Sequence, residues 1–313
     1  MTRNAAFKVA LIGASGLLGR AIAKELAGVA GWTLVRTAHS RRDAQSVKLD
    51  IRDAAAIGDF IGRESPDAIV VAAAERRPDV CENDPALARA LNVDALRFIA
   101  NAARDRDAWV LSISTDYVFD GSAPPYSPDD PPSPVNAYGR SKLEGERALL
   151  ESGAKACVLR LPLLYGPVLD WSESAVTSLT PAIVKSSAPL APAAVMDAWA
   201  IRYPTFTPDV AVVIRQMLGR HARGETISGI TQWSGDEPMT KFDIAQRIAR
   251  VLKVDARLVA QRTPADSTPR PRDCHLDSVR LEALGIGRRT PFDSAIASVL
   301  ARYPEPTQTL KSQ

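Results

Sequence analysis

Five short apolar runs with helical patterns between them constrain this chain more than any other feature. The runs are FKVALI (7–12), TLVRTA (33–38), AIVVAA (68–73), AWVLSI (108–113) and ACVLRL (156–161). Helical patterns lie between them, as over 17–28, 84–104 and 136–152. Strands that are apolar throughout are buried on both faces, and parallel neighbours need crossover helices to join them. The pattern therefore predicts an α/β fold, a Rossmann-type doubly wound parallel sheet. No repeat of 20–50 residues competes with it.

After about residue 165 strands become scarce, and prolines and helices common. This predicts a dinucleotide-binding domain over 1–165 and a smaller C-terminal α/β substrate module over 166–313. The module would pack on the carboxyl edge of the sheet, where open α/β sheets hold ligands, and its chain could cross back to the sheet. Within it, ISGITQWSGDEPMTKFDIAQRIARVL reads as a strand, a turn and a helix, with Thr240 as N-cap and Asp243 near the third helical position.

The first run leads into VALIGASGLLGRAIAKEL, a strand, a glycine turn and an amphipathic helix. Gly13 permits the sharp turn, Gly16 lets a pyrophosphate approach the backbone, and Gly19 lets the helix pack closely on the sheet. The free N–H groups at the helix start then face the phosphates. The turn residues Ser15, Leu17 and Leu18 belong to the same site. The second run ends in TAHSRRD. Where an NAD site would place an acid for the ribose hydroxyl, this chain has Ser40, Arg41 and Arg42. Guanidinium groups match a 2′-phosphate bidentately, so the cofactor expected is NADP(H). The alternative is a solvated surface turn. Asp50, in VKLDIRD, is expected near the adenine, and Ala72, Ala73, Ala74 and Arg160 also at the cofactor.

NAYGRSKLEGE (136–146) puts Tyr138 and Lys142 four apart, on one face of a helix. An ammonium beside a phenol stabilises the phenolate and lowers a pKa that is ordinarily about 10. Tyr138 would then serve as a general acid to a carbonyl oxygen, with Lys142 also holding a nicotinamide ribose. The fourth run ends in LSISTDYVFDG, which puts Ser114 and Thr115 at a strand's carboxyl end, in reach of a substrate oxygen. Asn92 sits inside a helical pattern it does not favour; it holds a water or backbone near Lys142, or simply faces solvent. APPYSPDDPPSP (123–134) has six prolines and must be a loop, either a wall of the active site or a rigid surface linker.

GASGLLG, STDYVFDG, NAYGRSK and LRLPLLYG together resemble the extended short-chain dehydrogenase/reductase superfamily. Within it the chain resembles the dTDP-4-dehydrorhamnose reductases, chiefly over STDYVFDGSAPPYSPDDPPSPVNAYGRSKLEGE. That resemblance implies Thr115, Tyr138 and Lys142 as catalytic residues, with Asp116 and Tyr117 at the substrate. AAAERRPDVCENDP, SESAVTSL, TQWSGDEPMTKFDIA and RPRDCHLDSVRLEALGIGRRTPF are similar to the regulatory β subunits of methionine adenosyltransferase, which share the fold and bind NADP. Glu75, Arg76, Arg77 and Pro78 depart from the reductase pattern in the expected substrate wall.

The leading expectation is an NADP(H)-dependent reductase of a 4-keto sugar nucleotide, with Arg202 and Arg270 on the diphosphate. Two others stay open. One is an NADP-binding regulatory subunit in a hetero-complex with a methionine adenosyltransferase-like enzyme. The other is an epimerase using the same three residues. Elimination chemistry needs an acid pair, and Asp116 is followed by Tyr117. The tail ARYPEPTQTLKSQ has few anchors for docking and leans towards an enzyme. The net charge of +3 gives no reason to expect nucleic acid or a membrane surface. Cys81, Cys157 and Cys274 are odd in number and far apart, so neither a disulfide framework nor a metal site is expected, and a reducing cytoplasm suits them. FKVALIGASG is too short to span a membrane.

Overall fold

The computed structural model describes residues 6–41, 43–264 and 268–301. Arg42 and the tail from residue 302 lie outside the described residues. Strands β1 (Phe7–Ile12), β2 (Trp32–Ala38), β3 (Ser46–Lys48), β4 (Ala68–Val71), β5 (Trp109–Thr115) and β6 (Ala156–Leu161) come from the first half. Beyond them follow β7 (Leu164–Tyr165), β8 (Ala194–Asp197), β9 (Thr205–Phe206), β10 (Gly229–Gln232) and β11 (Leu258–Gln261). The main sheet runs β3-β2-β1-β4-β5-β6-β10, and every pairing in it is parallel. The order reverses between β1 and β4, which opens a crevice at the carboxyl ends.

The helices are α1 (Leu17–Leu26), α2 (Ala54–Glu64), α3 (Pro78–Asn83), α4 (Pro85–Arg89), α5 (Ala95–Arg104), α6 (Ala137–Leu150), α7 (Thr180–Ser187), α8 (Thr207–Ala222), α9 (Lys241–Leu252), α10 (Val279–Glu282) and α11 (Phe292–Leu300). One face of the sheet is covered by α1 and α8, through Leu18, Ile22, Leu26, Val210, Ile214 and Met217. The other is covered by α2, α5 and α6, through Ile57, Phe60, Ile61, Leu96, Ile99 and Leu149. Both faces being covered explains why the runs are predominantly apolar. β4 is buried at all four positions.

Beyond residue 165 the chain divides its packing. α8 and β10 return to the sheet, and the Trp109 indole N–H donates to the Ile227 carbonyl at 2.9 Å to fasten that return. The rest, with the β8–β11 and β7–β9 pairs, gathers round Tyr165, Ile183, Met196, Ile244, Ile248, Phe292 and Ile296. Helix α9 begins with a full capping box, Thr240 and Asp243 each bonding the other's backbone N–H. Among the described residues, no helix is long and apolar enough to cross a membrane.

The proline loop does not wall the crevice. Tyr126 stacks on Phe119, with ring centroids 4.1 Å apart, and its N–H donates to the His275 carbonyl at 2.8 Å. The loop is thereby pinned to the segment carrying Cys274 and Leu276, away from the cleft lining. This is the linker alternative, and its anchor is an aromatic pair rather than the prolines.

Candidate functional site

A cleft of about 760 Å³ lies at the carboxyl ends of β1, β2, β4, β5 and β6. Gly13, Ser15, Gly16, Leu17 and Leu18 form one end of it, with Ser40, Arg41 and Asp50 beside them and Ala72, Ala73 and Ala74 beneath. Gly13 has φ of +89°, and a Cβ there would sit 2.7 Å from the Ala73 backbone nitrogen. A Cβ on Gly19 would lie 2.1 Å from the Gly13 carbonyl oxygen, so Gly19 closes the turn on itself and does not reach the cleft. A Cβ on Gly16 would meet nothing nearer than 3.5 Å, and Gly16 caps α1 without any side-chain acceptor. The start of α1 therefore has room, and unused N–H donors, for an anionic group.

Asp50 is held by Arg52, which donates to it at 2.6 and 2.9 Å, and this bond lowers its carboxyl to about 2. His39 also lies 3.5 Å from it. Neither Arg52 nor His39 was expected from the sequence. His39 directly follows β2, and Arg52 stands two residues beyond Asp50 in the turn after β3; that closeness to a strand end is the signal that could have found them.

At the other end of the cleft the carboxyl end of β5 meets the start of α6. Asn136 caps this helix by accepting from Gly139 N–H at 2.9 Å. A Cβ on Gly139 would lie 2.1 Å from the Tyr117 carbonyl oxygen, so glycine lets α6 abut the 116–118 turn. That contact brings Tyr138 to the end of the cleft that Thr115 lines, where the Thr115 hydroxyl donates to Asp116 at 3.1 Å and accepts from the Tyr117 N–H at 3.2 Å. The Tyr117 and Tyr138 rings meet edge to face at 5.8 Å. Thr115, Asp116, Tyr117, Tyr138, Lys142, Arg202 and Arg270 all line the cleft.

The electrostatics differ from the expectation. The Lys142 ammonium donates to the Ile113 carbonyl at 2.8 Å. Burial holds Lys142 down to about 8, against the opposing pull of Glu146. Burial pushes the Tyr138 phenol well above its ordinary value, and only the neighbouring Thr115 hydroxyl works the other way. Around a buried phenol, desolvation outweighs an ammonium engaged elsewhere. Burial also pushes Asp116 up to about 6, with Arg202 opposing it. Arg202 lies over the Tyr117 ring at 5.7 Å and donates to the Ile201 carbonyl at 2.7 Å.

Three expected residues do other work. Arg160 is 1% exposed and lies beneath the cleft, donating to Glu146 at 2.7 and 3.0 Å and facing the Phe119 ring at 5.1 Å. A guanidinium so enclosed cannot reach a cofactor. Ser114 borders the cleft, but its hydroxyl donates to Glu146 at 2.5 Å rather than towards a substrate. Asn92 sits in a π turn, Ala90–Asp94, between α4 and α5. Its side chain accepts from the Glu75 N–H and donates to the Glu75 carbonyl and the Ser141 hydroxyl, each at 3.0 Å. It clamps the cleft wall to α6 without lining the cleft. Arg76, Arg77 and Pro78 of that wall do line it. Glu146 went unforeseen, although it stands four residues beyond Lys142 on the same helical face.

A doubly wound parallel sheet, a glycine turn after β1, and a threonine, a tyrosine and a lysine converging beside it define an extended short-chain dehydrogenase/reductase. Residues 7–304 match the family described as RmlD substrate binding domain, and the chain belongs to that family. It is 42% identical over 292 residues to methionine adenosyltransferase 2 subunit beta of Xenopus tropicalis, covering 93% of this chain and 86% of that one. It is also similar in structure to a dTDP-4-dehydrorhamnose reductase of Clostridium acetobutylicum, with a TM-score of 0.81 and 24% identity, covering 94% of this chain and 98% of that one. A dTDP-4-dehydrorhamnose reductase of Bacillus anthracis in complex with NADP gives a TM-score of 0.82 at 22% identity, covering 95% and 99% of the two chains.

Proposed function

We propose that this protein is an NADP(H)-dependent reductase acting on the keto group of a nucleotide-linked sugar. The observation that carries the reading is that Thr115, Tyr138 and Lys142 line one end of a cleft continuous with the glycine turn. The residues present fit the cofactor. The uncapped start of α1 and the space over Gly16 suit a pyrophosphate, and Arg41 stands where a 2′-phosphate would arrive. When bound, the nicotinamide supplies the hydride that reaches the carbonyl carbon.

The chain's own residues handle the proton. The Tyr138 phenol, pushed above its ordinary value by burial, is protonated at neutral pH and so is a donor in the resting site. Thr115 orients that hydroxyl. As hydride arrives, the carbonyl oxygen gains negative charge and takes the Tyr138 proton, leaving an alcohol. Lys142, charged below about 8, stabilises the phenolate left behind. Arg202 and Arg270, which also line the cleft, suit the diphosphate of the substrate. We take residues up to 165, with α8 and β10, as the cofactor half, and the remainder as the substrate module. Three buried free thiols suit a reducing cytoplasm.

The 42% identity to a methionine adenosyltransferase subunit favours a second reading. In it the same cleft holds NADP(H) without turnover and the protein regulates a partner enzyme. One experiment separates the two. NADPH oxidation is followed with a panel of keto-sugar nucleotides, beside a pull-down with methionine adenosyltransferase. Oxidation with any member supports the reductase. No turnover together with stoichiometric capture supports the subunit.

A further inference from the structure

The SESAVTSL segment follows β7 and carries Glu173, in a short turn that Asp170 caps by accepting from Ser172 N–H at 2.8 Å. Glu173 is 7% exposed and lies on the rim of the cleft, across from the end of β2. Its carboxylate accepts from Arg20 at 2.5 and 3.2 Å, from the Leu169 N–H at 2.9 Å, and from Arg41 at 2.5 Å. Arg20 in turn donates to the Ser15 carbonyl of the glycine turn at 2.8 Å. The acid is therefore anchored on one side by a half-buried arginine and a backbone N–H. On the other side it holds an arginine whose side chain is 59% exposed. Arg41 is also the residue placed to receive a 2′-phosphate.

We propose that Glu173 tunes the discrimination between phosphorylated and unphosphorylated dinucleotide by holding Arg41 until a 2′-phosphate takes it. The inference rests on the NADP(H) reading and adds to it a competitor. A contact whose guanidinium is mostly exposed is weak, while a dianionic phosphate offers a bidentate partner. Arg41 can therefore change hands while Arg20 and Leu169 keep Glu173 ionised and in place. A dinucleotide without the phosphate has nothing to exchange, and its binding is indifferent to Glu173.

The test uses 2′,5′-ADP and 5′-AMP as probes, titrated calorimetrically into the full chain, Glu173→Gln and Glu173→Asp. Glu173→Gln removes the competing charge and should tighten 2′,5′-ADP roughly two- to fivefold, the size of a released exposed ion pair, with 5′-AMP unchanged. Glu173→Asp retains the charge for Arg20 but withdraws it from Arg41, and should shift 2′,5′-ADP the same way by less. It keeps the test alive if the glutamine variant folds poorly. Unchanged or weaker 2′,5′-ADP binding in both variants overturns the proposal, as does an equal gain for both probes. Combining Arg41→Ala with Glu173→Gln should abolish the gain; a gain that persists also overturns it. A wild type that does not distinguish the two probes removes the NADP(H) reading itself and this inference with it.

Discussion

Replacing Glu146 by alanine should destabilise this protein more than most single changes. Glu146 and Arg160 are 2% and 1% exposed, and their pair is bidentate. The Arg160 Nη1 has no hydrogen-bond partner even in the intact pair. Glu146 also accepts the Ser114 hydroxyl. Removing it leaves a buried guanidinium uncompensated, a loss of about 3–5 kcal/mol. The orphaned hydroxyl adds about 1–3 kcal/mol, though the two are not additive because they share the acceptor. At roughly 2–3 °C per kcal/mol for a chain of this size, the midpoint of thermal unfolding should fall by about 10 °C. The double change Glu146→Leu with Arg160→Met removes both charges and keeps apolar volume, so it should recover most of that loss. Thermal melts followed by circular dichroism would check both. A single variant that melts within about 2 °C of wild type, or a double variant less stable than the single, would refute the reasoning, since an isolated buried charge would then cost nothing.

Tyr138→Phe should cut reductase turnover by roughly a hundredfold or more while NADPH binding stays within a few-fold, as steady-state kinetics beside calorimetry would show. Arg41→Ala should weaken NADPH more than NADH; equal losses would mean Arg41 meets no 2′-phosphate. Asp116 titrates at about 6 in the fold, above its ordinary 3.8. Its contribution to stability is full below 3.8 and lost as pH rises through about 6, so Asp116→Asn should flatten the stability profile between those values, read by urea melts across pH. Lys142 titrates at about 8 rather than 10.5. Its neutral form is the one the fold favours, so its contribution is present above 10.5 and lost as pH falls through about 8, and Lys142→Met should remove that slope.

The strand and helix plan, the glycine turn and the Tyr138–Lys142 face were legible in the sequence, because each depends on local spacing. Strands buried on both faces are mostly apolar, and β1 and β6 fall where their runs stand, each with a single charged residue, Lys8 and Arg160. A helix puts residues four apart on one side whatever surrounds them. The same rule runs on to Glu146, so the acid beneath the lysine could have been read from the chain. Partnership across the sheet could not. Arg160 was expected at the cofactor, and only the packing of α6 on β5 and β6 shows that it faces an acid instead. Nor could sequence reveal that Lys142 turns to the Ile113 carbonyl, or that Glu173 crosses 132 positions to Arg41. Desolvation decides the protonation of Tyr138, and it depends on what the whole fold piles around a group. Periodicity belongs to a segment and is written in it; burial and long-range charge pairing belong to the assembled molecule, and no segment contains them.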